Sequence, residues 1–243
     1  MNVAVILPAA GLGTRMGRSA PEKAGVSRKQ FMLLDGAPIF LHTLRKFARC
    51  DRVTEMTLAV RAEDVTWVRE LMSQEKLGKP VRVVEGGDSR QQSVENALAT
   101  VDPKTDLVAV HDAVRPFIDL PTIEKVLDEA AESGAAIVGI VPVDTVKQVG
   151  RVQANRAKIR GTLQRERLVL AQTPQVFRYD LLRKAFQAAR ADGFTGTDEA
   201  SLVERLDETE VSVILGSDRN IKITRPGDME LARLFAKEEA SLG

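Results

Sequence analysis

The chain has 243 residues, of which 44% are hydrophobic and 28% charged, and this suits one α/β domain with a substantial core. Its 35 basic and 34 acidic residues give a formal net charge of +1, so it lacks the basic field of a nucleic-acid-binding protein and the polybasic signal of a membrane-surface protein. Cys50 is the only cysteine, which excludes an internal disulfide framework. Without a signal-peptide pattern or an apolar run of about 20 residues, we expect a cytoplasmic protein.

Short β-rich runs alternate with segments of helical periodicity as far as Val141. Strands are predicted at Val3–Leu7, Thr57–Val60, Val81–Val84, Leu107–His111 and Ala136–Val141. Helices are predicted between them at Ile39–Arg49, Ala62–Ser73, Arg90–Thr100 and Pro121–Ser133. This alternation predicts an α/β fold with a Rossmann-like, mainly parallel twisted sheet flanked by helices. Ligands of such sheets bind at the carboxyl ends of the strands, where the candidate motifs follow.

A loop of small residues leaves the first predicted strand, Pro8-Ala-Ala-Gly-Leu-Gly-Thr-Arg-Met-Gly17, and a polar stretch continues to Lys29. Small residues let backbone N–H groups approach an anion closely, and Arg15 and Lys29 add positive charge. The glycines are spaced GxGxxxG and no Gly-Lys-Ser/Thr follows, so neither the NAD-binding fingerprint nor a Walker A loop is present. The loop predicts a nucleotide-phosphate site of another kind, and a solvated surface loop is the alternative.

A second motif, Gly86-Gly-Asp-Ser-Arg-Gln-Gln-Ser93, leaves the third predicted strand and opens a helix. Its backbone amides, carboxylate and hydroxyls are suited to reading a base edge or a ribose. The alternative is a helix cap in which Asp88 or Ser89 accepts hydrogen bonds from the first-turn N–H groups.

A third motif, His111-Asp-Ala-Val-Arg115, ends the fourth predicted strand. An aspartate at this position can hold Mg²⁺ on phosphates, and a local Asp112–Arg115 ion pair is the alternative. We interpret His111 as structural, because Mg²⁺ prefers oxygen ligands. Near the C-terminus, Asp218 and Lys222 could complete a metal–phosphate site, although a charged sheet edge would explain them equally well.

The alternating pattern breaks between Pro142 and Gln172, where the sequence has β character and no long helical face. This stretch predicts a β-hairpin arm inserted into a single domain that spans residues 1–243. An arm cannot easily bury both of its faces alone, so we expect it to pair with a second subunit. A helix near Tyr179–Ala191, a helix begun by Thr197-Asp-Glu, a strand at Val211–Leu215 and a closing helix follow.

Together these motifs resemble those of one family, the 2-C-methyl-D-erythritol 4-phosphate cytidylyltransferases, in order and over nearly the whole chain. The matching residues are Pro8-Ala-Ala-Gly-x-Gly-x-Arg15-Met with Lys29-Gln30, Gly86-Gly-Asp-x-Arg90-x-x-Ser93, His111-Asp112-Ala113-x-Arg115-Pro, Asp144-Thr145-x-Lys147, Thr173-Pro-Gln175, Thr197-Asp-Glu199 and Asn220-Ile-Lys222-x-Thr-Arg-Pro226. Any one of these motifs is weak, and the ordered set is specific.

The resemblance implies transfer of a cytidylyl group from CTP to methylerythritol phosphate with release of pyrophosphate, dependent on Mg²⁺ or another divalent cation. It also implies a homodimer formed through the arm. A ribitol 5-phosphate cytidylyltransferase is the alternative enzyme, because it shares the CTP motifs. A nucleotide-binding regulatory module without catalysis is the alternative from another class, and it should lack the cations or the carboxylate.

The resemblance also implies roles for individual residues. The catalytic cations would be Arg15, Lys29 and Lys222. The nucleotide would be bound by Pro8, Ala9, Ala10, Gly11, Gly87, Asp88, Ser93 and Ala113. The acceptor would be bound by Asp112, Arg115, Thr145, Arg165, Thr173 and Thr197, with Thr145 and Arg165 serving the active site of the partner. The metal would be held by Asp112, with Asp218 as the second carboxylate.

The segment between Gly17 and Lys29 is a few residues longer than the family pattern and contains a competing cation, Lys23. Because Gln30 and Phe31 follow Lys29 as the motif requires, we predict that Lys29→Ala lowers turnover by orders of magnitude while Lys23→Ala changes it little. The turnover of both variants is measured as the steady-state rate of pyrophosphate release. Equal losses would contradict the assignment.

Overall fold

A computed structural model describes residues 1–11, 28–151, 153–154 and 156–242 of the chain. The candidate cations Arg15 and Lys23 therefore lie outside the described residues.

The strands are β1 (Val3–Pro8), β2 (Leu33–Leu34), β3 (Ala37–Pro38), β4 (Val53–Val60), β5 (Val81–Glu85), β6 (Leu107–Val110), β7 (Ala135–Ile140), β8 (Lys147–Val149), β9 (Ile159–Thr162), β10 (Leu170–Arg178) and β11 (Ser212–Leu215). The α-helices are α1 (Ile39–Ala48), α2 (Val65–Gln74), α3 (Arg90–Leu98), α4 (Leu120–Ser133), α5 (Tyr179–Ala191), α6 (Glu199–Glu204) and α7 (Pro226–Leu242). Short 3₁₀ turns occupy Lys29–Phe31, Ala62–Asp64 and Arg165–Arg167.

Seven strands form the central sheet in the order β11-β7-β10-β6-β1-β4-β5. All neighbours in it are parallel except β10, which runs antiparallel to both β6 and β7. The α/β fold with a mainly parallel sheet, predicted from the sequence, is confirmed. The predicted strands and helices are found with small shifts, the largest at β4, which begins at Val53 and includes the polar residues Thr54 and Glu55.

Strand β10 was not predicted. Its residues Leu170 and Ala171 were predicted to end the arm, but they pair with Ile140 and Gly139 of β7 in the central sheet. The strand contains a cis proline, Pro174, and several polar residues, a composition more typical of a loop. Those polar side chains are buried and hydrogen-bonded, so tertiary contacts stabilise a strand that local sequence does not indicate.

The two faces of the sheet bury separate hydrophobic clusters. In β1, Val5 and Leu7 point to one face, where α1 and α4 pack, and Ile6 points to the other, where α3, α5 and α6 pack. The alternation explains why β1 reads as an unbroken apolar run, since a parallel strand covered on both faces has no polar side.

A third, smaller cluster packs α7 against the segment that follows β6. Val114 and Phe117 of that segment pack with Ile223 and Met229. The rings of Phe117 and Phe235 meet edge to face with their centroids 5.4 Å apart. The Ile223 N–H donates to the Val114 carbonyl at 3.0 Å. This packing brings Lys222, the residue before Ile223, to the carboxyl end of β6.

The arm between β7 and β10 contains the antiparallel pair β8 and β9. Its apolar side chains are largely exposed, including Val143 at 78% and Ile159 at 64%. No helix among the described residues is long and apolar enough to span a membrane.

The N-cap of α4 offers a test of the fold's energetics. Asp119 accepts a hydrogen bond from the Thr122 N–H at 2.7 Å. We expect Asp119→Ala to lower the free energy of unfolding by about 1 kcal/mol, because a first-turn N–H group loses its partner. Urea denaturation measures the change. Asp119→Asn, which keeps the acceptor, should remain close to the wild type, and a similar loss in both variants would contradict the capping role.

Candidate functional site

A cavity of about 380 Å³ opens at the carboxyl ends of β1, β4, β5 and β6. It is lined by Pro8, Ala9, Ala10, Gly11, Lys29, Gln30, Arg61, Gly87, Asp88, Ser89, Arg90, Ser93, Asp112, Ala113, Val114, Lys222 and Thr224. Its volume lies within the usual range of small-ligand sites, and its position matches the edge where parallel sheets bind ligands.

The first wall is the start of the loop after β1. The Ala9 N–H donates to the Ala59 carbonyl at 2.7 Å, which continues the parallel pairing of β1 and β4 past the end of the strand. The side-chain amide of Gln30, itself buried, donates to the carbonyls of Ala9 and Gly11 at 2.6 and 3.2 Å. Gln30 therefore fixes the loop's backbone and places its neighbour Lys29 at the cavity.

The second wall is the turn from β5 into α3. Ser89 caps the helix by accepting from the Gln92 N–H at 3.0 Å, as the capping alternative predicted. Ser93 Oγ accepts from the Gly87 N–H at 3.0 Å and donates to the Ser89 carbonyl at 2.8 Å. The capping interaction and the cavity wall thus coexist, because the hydrogen bonds of the cap shape the backbone that lines the cavity.

The centre of the site is the buried carboxylate of Asp112. Its Oδ2 lies 2.9 Å from Lys222 Nζ and 3.1 Å from Arg115 Nε, and its Oδ1 lies 3.5 Å from Arg90 Nε. Burial alone would raise the pKa of Asp112, but Lys222, Arg90 and Arg115 outweigh it and hold that pKa well below its usual range. The predicted Asp112–Arg115 pair is present, as one part of a larger cluster.

His111 lies beneath this cluster and is fully buried. Its Nε2 is 3.1 Å from the Arg115 carbonyl, and its ring packs against Phe47 with centroids 4.9 Å apart. Burial lowers the pKa of His111 to about 4, so the imidazole is neutral at pH 7. These contacts support the structural interpretation of His111.

Asn220 holds the C-terminal side of the site in place. Its side-chain amide donates to Gln172 Oε1 at 2.8 Å and to the Thr173 carbonyl at 2.9 Å. The main-chain carbonyl of Asn220 accepts from Arg115 Nη1 at 2.7 Å. One buried residue thus connects β10, Arg115 and the loop that carries Lys222.

Arg90 bridges two acidic residues at the cavity wall. Its Nη1 donates to both carboxylate oxygens of Glu199, at 2.6 and 2.8 Å. Burial raises the pKa of the Glu199 carboxyl, and the Arg90 charge opposes that rise. Glu199 lies at the start of α6, which Asp198 caps.

Eleven of the residues assigned roles from the sequence line the cavity: Pro8, Ala9, Ala10, Gly11, Lys29, Gly87, Asp88, Ser93, Asp112, Ala113 and Lys222. Arg115 and Thr173 lie behind it and contact Asp112, Thr173 Oγ1 by accepting from the Asp112 N–H at 3.0 Å. Thr145, Arg165, Thr197 and Asp218 are exposed and are not among the described residues that line the cavity.

Six further residues line the cavity without having been predicted to bind a ligand or to act in catalysis: Gln30, Arg61, Ser89, Arg90, Val114 and Thr224. Arg61 carried a usable signal, because it directly follows β4 and so lies at the carboxyl end of a parallel strand. Arg90 lies at the first position of α3, beside the assigned residues.

The described residues contain no group of three or more His, Cys, Asp or Glu side chains that could hold a metal ion alone. Mg²⁺ is commonly bound by one or two carboxylates together with substrate phosphates. Asp112 fits that mode, because among the described residues its Oδ1 has just the 3.5 Å ion-pair contact with Arg90. The exposed side chain of Asp218 gives no such support.

Comparison with known proteins gives one family. The profile of the 2-C-methyl-D-erythritol 4-phosphate cytidylyltransferase family matches residues 3–238. Proteins of that name from Solibacter usitatus and Acidobacterium capsulatum are 68% and 52% identical to the chain, over 99% of it in both cases and over 98% and 100% of their own lengths. The crystal structure of the 4-diphosphocytidyl-2C-methyl-D-erythritol synthase of Anaerococcus prevotii has a TM-score of 0.81 and 26% identity, over 97% of this chain and 98% of that one.

The close approach between the first two walls of the cavity can be tested at Gly86. A Cβ at this position would lie 2.7 Å from Ala10 Cβ and 2.9 Å from Ser93 Oγ. We expect Gly86→Ala to lower the free energy of unfolding by about 1–3 kcal/mol, because both walls must shift. Chemical denaturation measures this.

Gly227→Ala is the matched control, since a Cβ there meets nothing within 4 Å. It should leave the free energy of unfolding unchanged or raise it by up to about 1 kcal/mol. If Gly86→Ala were as stable as this control, the result would contradict the close packing of Gly86 against Ala10 and Ser93.

Proposed function

The chain belongs to the 2-C-methyl-D-erythritol 4-phosphate cytidylyltransferase family, and from this membership we infer that it transfers a cytidylyl group from CTP to 2-C-methyl-D-erythritol 4-phosphate. The products are 4-diphosphocytidyl-2-C-methyl-D-erythritol and pyrophosphate, in the biosynthesis of isoprenoid precursors. The observation that carries the assignment to this site is the cavity itself, whose lining includes both the Asp112–Lys222 pair and the loop after β1.

In this reaction an oxygen of the acceptor phosphate attacks the α-phosphorus of CTP in line with the departing pyrophosphate. The attacking oxygen is already ionised at neutral pH, so the enzyme needs no general base. Its task is to position two anionic substrates and to stabilise the charge that develops around the α-phosphorus. A site with several cations and a neutral, buried His111 fits this requirement.

On the nucleotide side, we assign the cytosine and ribose to the wall formed by Gly87, Asp88 and Ser93. We propose that this wall accepts a pyrimidine in preference to a larger purine, because Ala10 and Ser93, which line it, pack closely around Gly86. The triphosphate would then lie along the loop after β1, near backbone N–H groups and Lys29.

Around the α-phosphorus, Lys29 and Lys222 lie on the lining of the cavity, and Arg15 is the third proposed cation. We propose that Asp112, through Oδ1, would hold Mg²⁺ or a similar divalent ion at the triphosphate, and that the ion would supply charge neutralisation at the phosphates. Asp112 Oδ2 has a separate role, because it orients Lys222 and Arg115.

On the acceptor side, Arg115, Thr173 and Thr197 are proposed to serve the polyol phosphate. Thr145 and Arg165 belong to the arm, where the Arg165 guanidinium donates to the Val143 carbonyl. We propose a homodimer in which each arm contributes these two residues to the other subunit's site. The exposed apolar side chains of the arm support this, because exposed apolar patches commonly mark protein interfaces.

The function is tested by pyrophosphate release from each of the four nucleoside triphosphates, with methylerythritol phosphate or ribitol 5-phosphate as acceptor. We expect activity confined to CTP with methylerythritol phosphate, and its loss on chelation of divalent ions. A higher rate with ribitol 5-phosphate would favour the alternative enzyme, and tight CTP binding without turnover on either acceptor would favour the regulatory module.

The shared site is tested with a hybrid dimer of differently tagged Lys29→Ala and Arg165→Ala subunits, purified through both tags. If each arm serves the opposite subunit, one of the two sites is intact and the hybrid has about half of the wild-type turnover. Each variant alone should be nearly inactive. A hybrid as inactive as its parents would contradict the exchange of arms.

A further inference from the structure

Arg90 lies between two carboxylates and is closer to one of them, Glu199, than to the other, Asp112. Its Nη1 is 2.6 and 2.8 Å from the two oxygens of Glu199, whereas its Nε is 3.5 Å from Asp112 Oδ1. Charge-assisted N–H···O bonds in proteins measure about 2.7–2.9 Å, so the guanidinium is hydrogen-bonded to Glu199 and makes only an ion-pair contact with Asp112. The contacts on the other oxygen, Oδ2, come from Arg115 and Lys222.

We propose that Glu199 is a positioning residue that holds the Arg90 guanidinium off Asp112 Oδ1 and so keeps this oxygen open to the divalent ion of the nucleotide complex. The proposal rests on the proposed function, and it gives a role to a residue that is not among those lining the cavity. Glu199 does not touch the reacting atoms in this arrangement and acts through Arg90.

Glu199 is suited to this role because its own position is fixed. It is only 1% exposed, and Asp198 before it accepts from Gln175 Nε2 at 2.7 Å. The Ala200 N–H after it donates to Gln175 Oε1 at 3.0 Å. The side chain of Gln175, in β10, therefore holds both neighbours of Glu199. Arg90 is the more exposed partner of the ion pair, with 30% of its side chain exposed against 2% for Glu199.

Without the charge of Glu199, the nearest anion to Arg90 is Asp112. The Arg90 side chain is partly buried, with 30% of it exposed, and a guanidinium in such a position is stabilised by a carboxylate partner, because an unpaired charge away from water is costly. A movement that shortens the 3.5 Å separation would turn this contact into a hydrogen bond and occupy Oδ1. Asp112 would then have cations on both oxygens and would bind a divalent ion weakly.

The test is the binding of Mn²⁺ to the full-length protein without acceptor, followed by the electron paramagnetic resonance signal of free Mn²⁺, with the protein in excess over CTP so that little free nucleotide chelates the ion. We expect Glu199→Gln to weaken Mn²⁺ binding by about tenfold or more, which is typical for loss of a residue that orients a metal site. We expect the double variant Arg90→Gln/Glu199→Gln to bind Mn²⁺ within about threefold of the wild type, since the competing guanidinium is gone. A purely structural role for Glu199 predicts no such recovery.

Glu239→Gln is the matched control, because Glu239 forms a two-oxygen pair with Lys46 on the surface, at 2.8 Å for each oxygen. It should bind Mn²⁺ like the wild type. Wild-type affinity in Glu199→Gln, or affinity in the double variant as weak as in the single one, would overturn the proposal. If Glu199→Gln does not fold, the double variant carries the test alone, and a loss of about tenfold there overturns the proposal.

This result is separable from the proposed function. A wild-type protein that binds Mn²⁺ and CTP but transfers nothing to methylerythritol phosphate contradicts the function, whereas wild-type Mn²⁺ affinity in Glu199→Gln contradicts only the role of Glu199.

Discussion

The Asp112 carboxylate is buried at the end of β6 and is compensated by cations from three separate parts of the chain. Arg115 comes from the same loop, Arg90 from the start of α3, and Lys222 from the loop before α7. A buried carboxylate with no partner would cost several kcal/mol, so folding must bring these segments together to leave it ionised. The ion pairs that stabilise this buried charge also place Lys222 and Arg90 at the cavity. The contacts that stabilise the fold therefore position the cations of the site.

Residues on two sides of Asp112 hold its cationic partners in place. On one side, Asn220 binds Gln172 and Thr173 of β10 and also Arg115, so the loop carrying Lys222 cannot move independently of the sheet. On the other side, Glu199 holds Arg90. Strand β10 contributes to both, through Gln172 and Thr173 on one side and Gln175 on the other, and these hydrogen bonds account for its buried polar residues.

The parts of the structure that local sequence determines could be predicted. The apolar run of β1, the helical periodicity of α1 to α5 and the motifs at the carboxyl ends of β1, β5 and β6 all placed candidate residues at the edge where the cavity lies. The resemblance of the ordered motifs to one family supplied the reaction, and the family profile agrees with it.

The contacts between distant segments could not be predicted in the same way. Strand β10 depends on partners such as Asn220, 47 residues from Thr173, and the pair of Arg90 and Glu199 spans 109 residues. Gln30 was seen as part of a motif, but its role in fixing the carbonyls of Ala9 and Gly11 depends on three-dimensional proximity. Spacing along the chain identifies which residues gather at the sheet edge, and their hydrogen bonds require the folded structure.

Asp112 must remain ionised in its buried position to pair with Lys222, Arg90 and Arg115, and a site-specific titration tests this directly. The carboxyl ¹³C resonance of Asp112, assigned by its absence from the spectrum of Asp112→Asn, would be followed by NMR as the pH is lowered from about 7 to about 3.5, a range in which an ordinary aspartate begins to protonate. Because Lys222, Arg90 and Arg115 hold its pKa well below the usual range, we predict that this resonance does not shift while the protein remains folded. A titration with the midpoint of an ordinary aspartate, at about pH 3.9, would contradict the account.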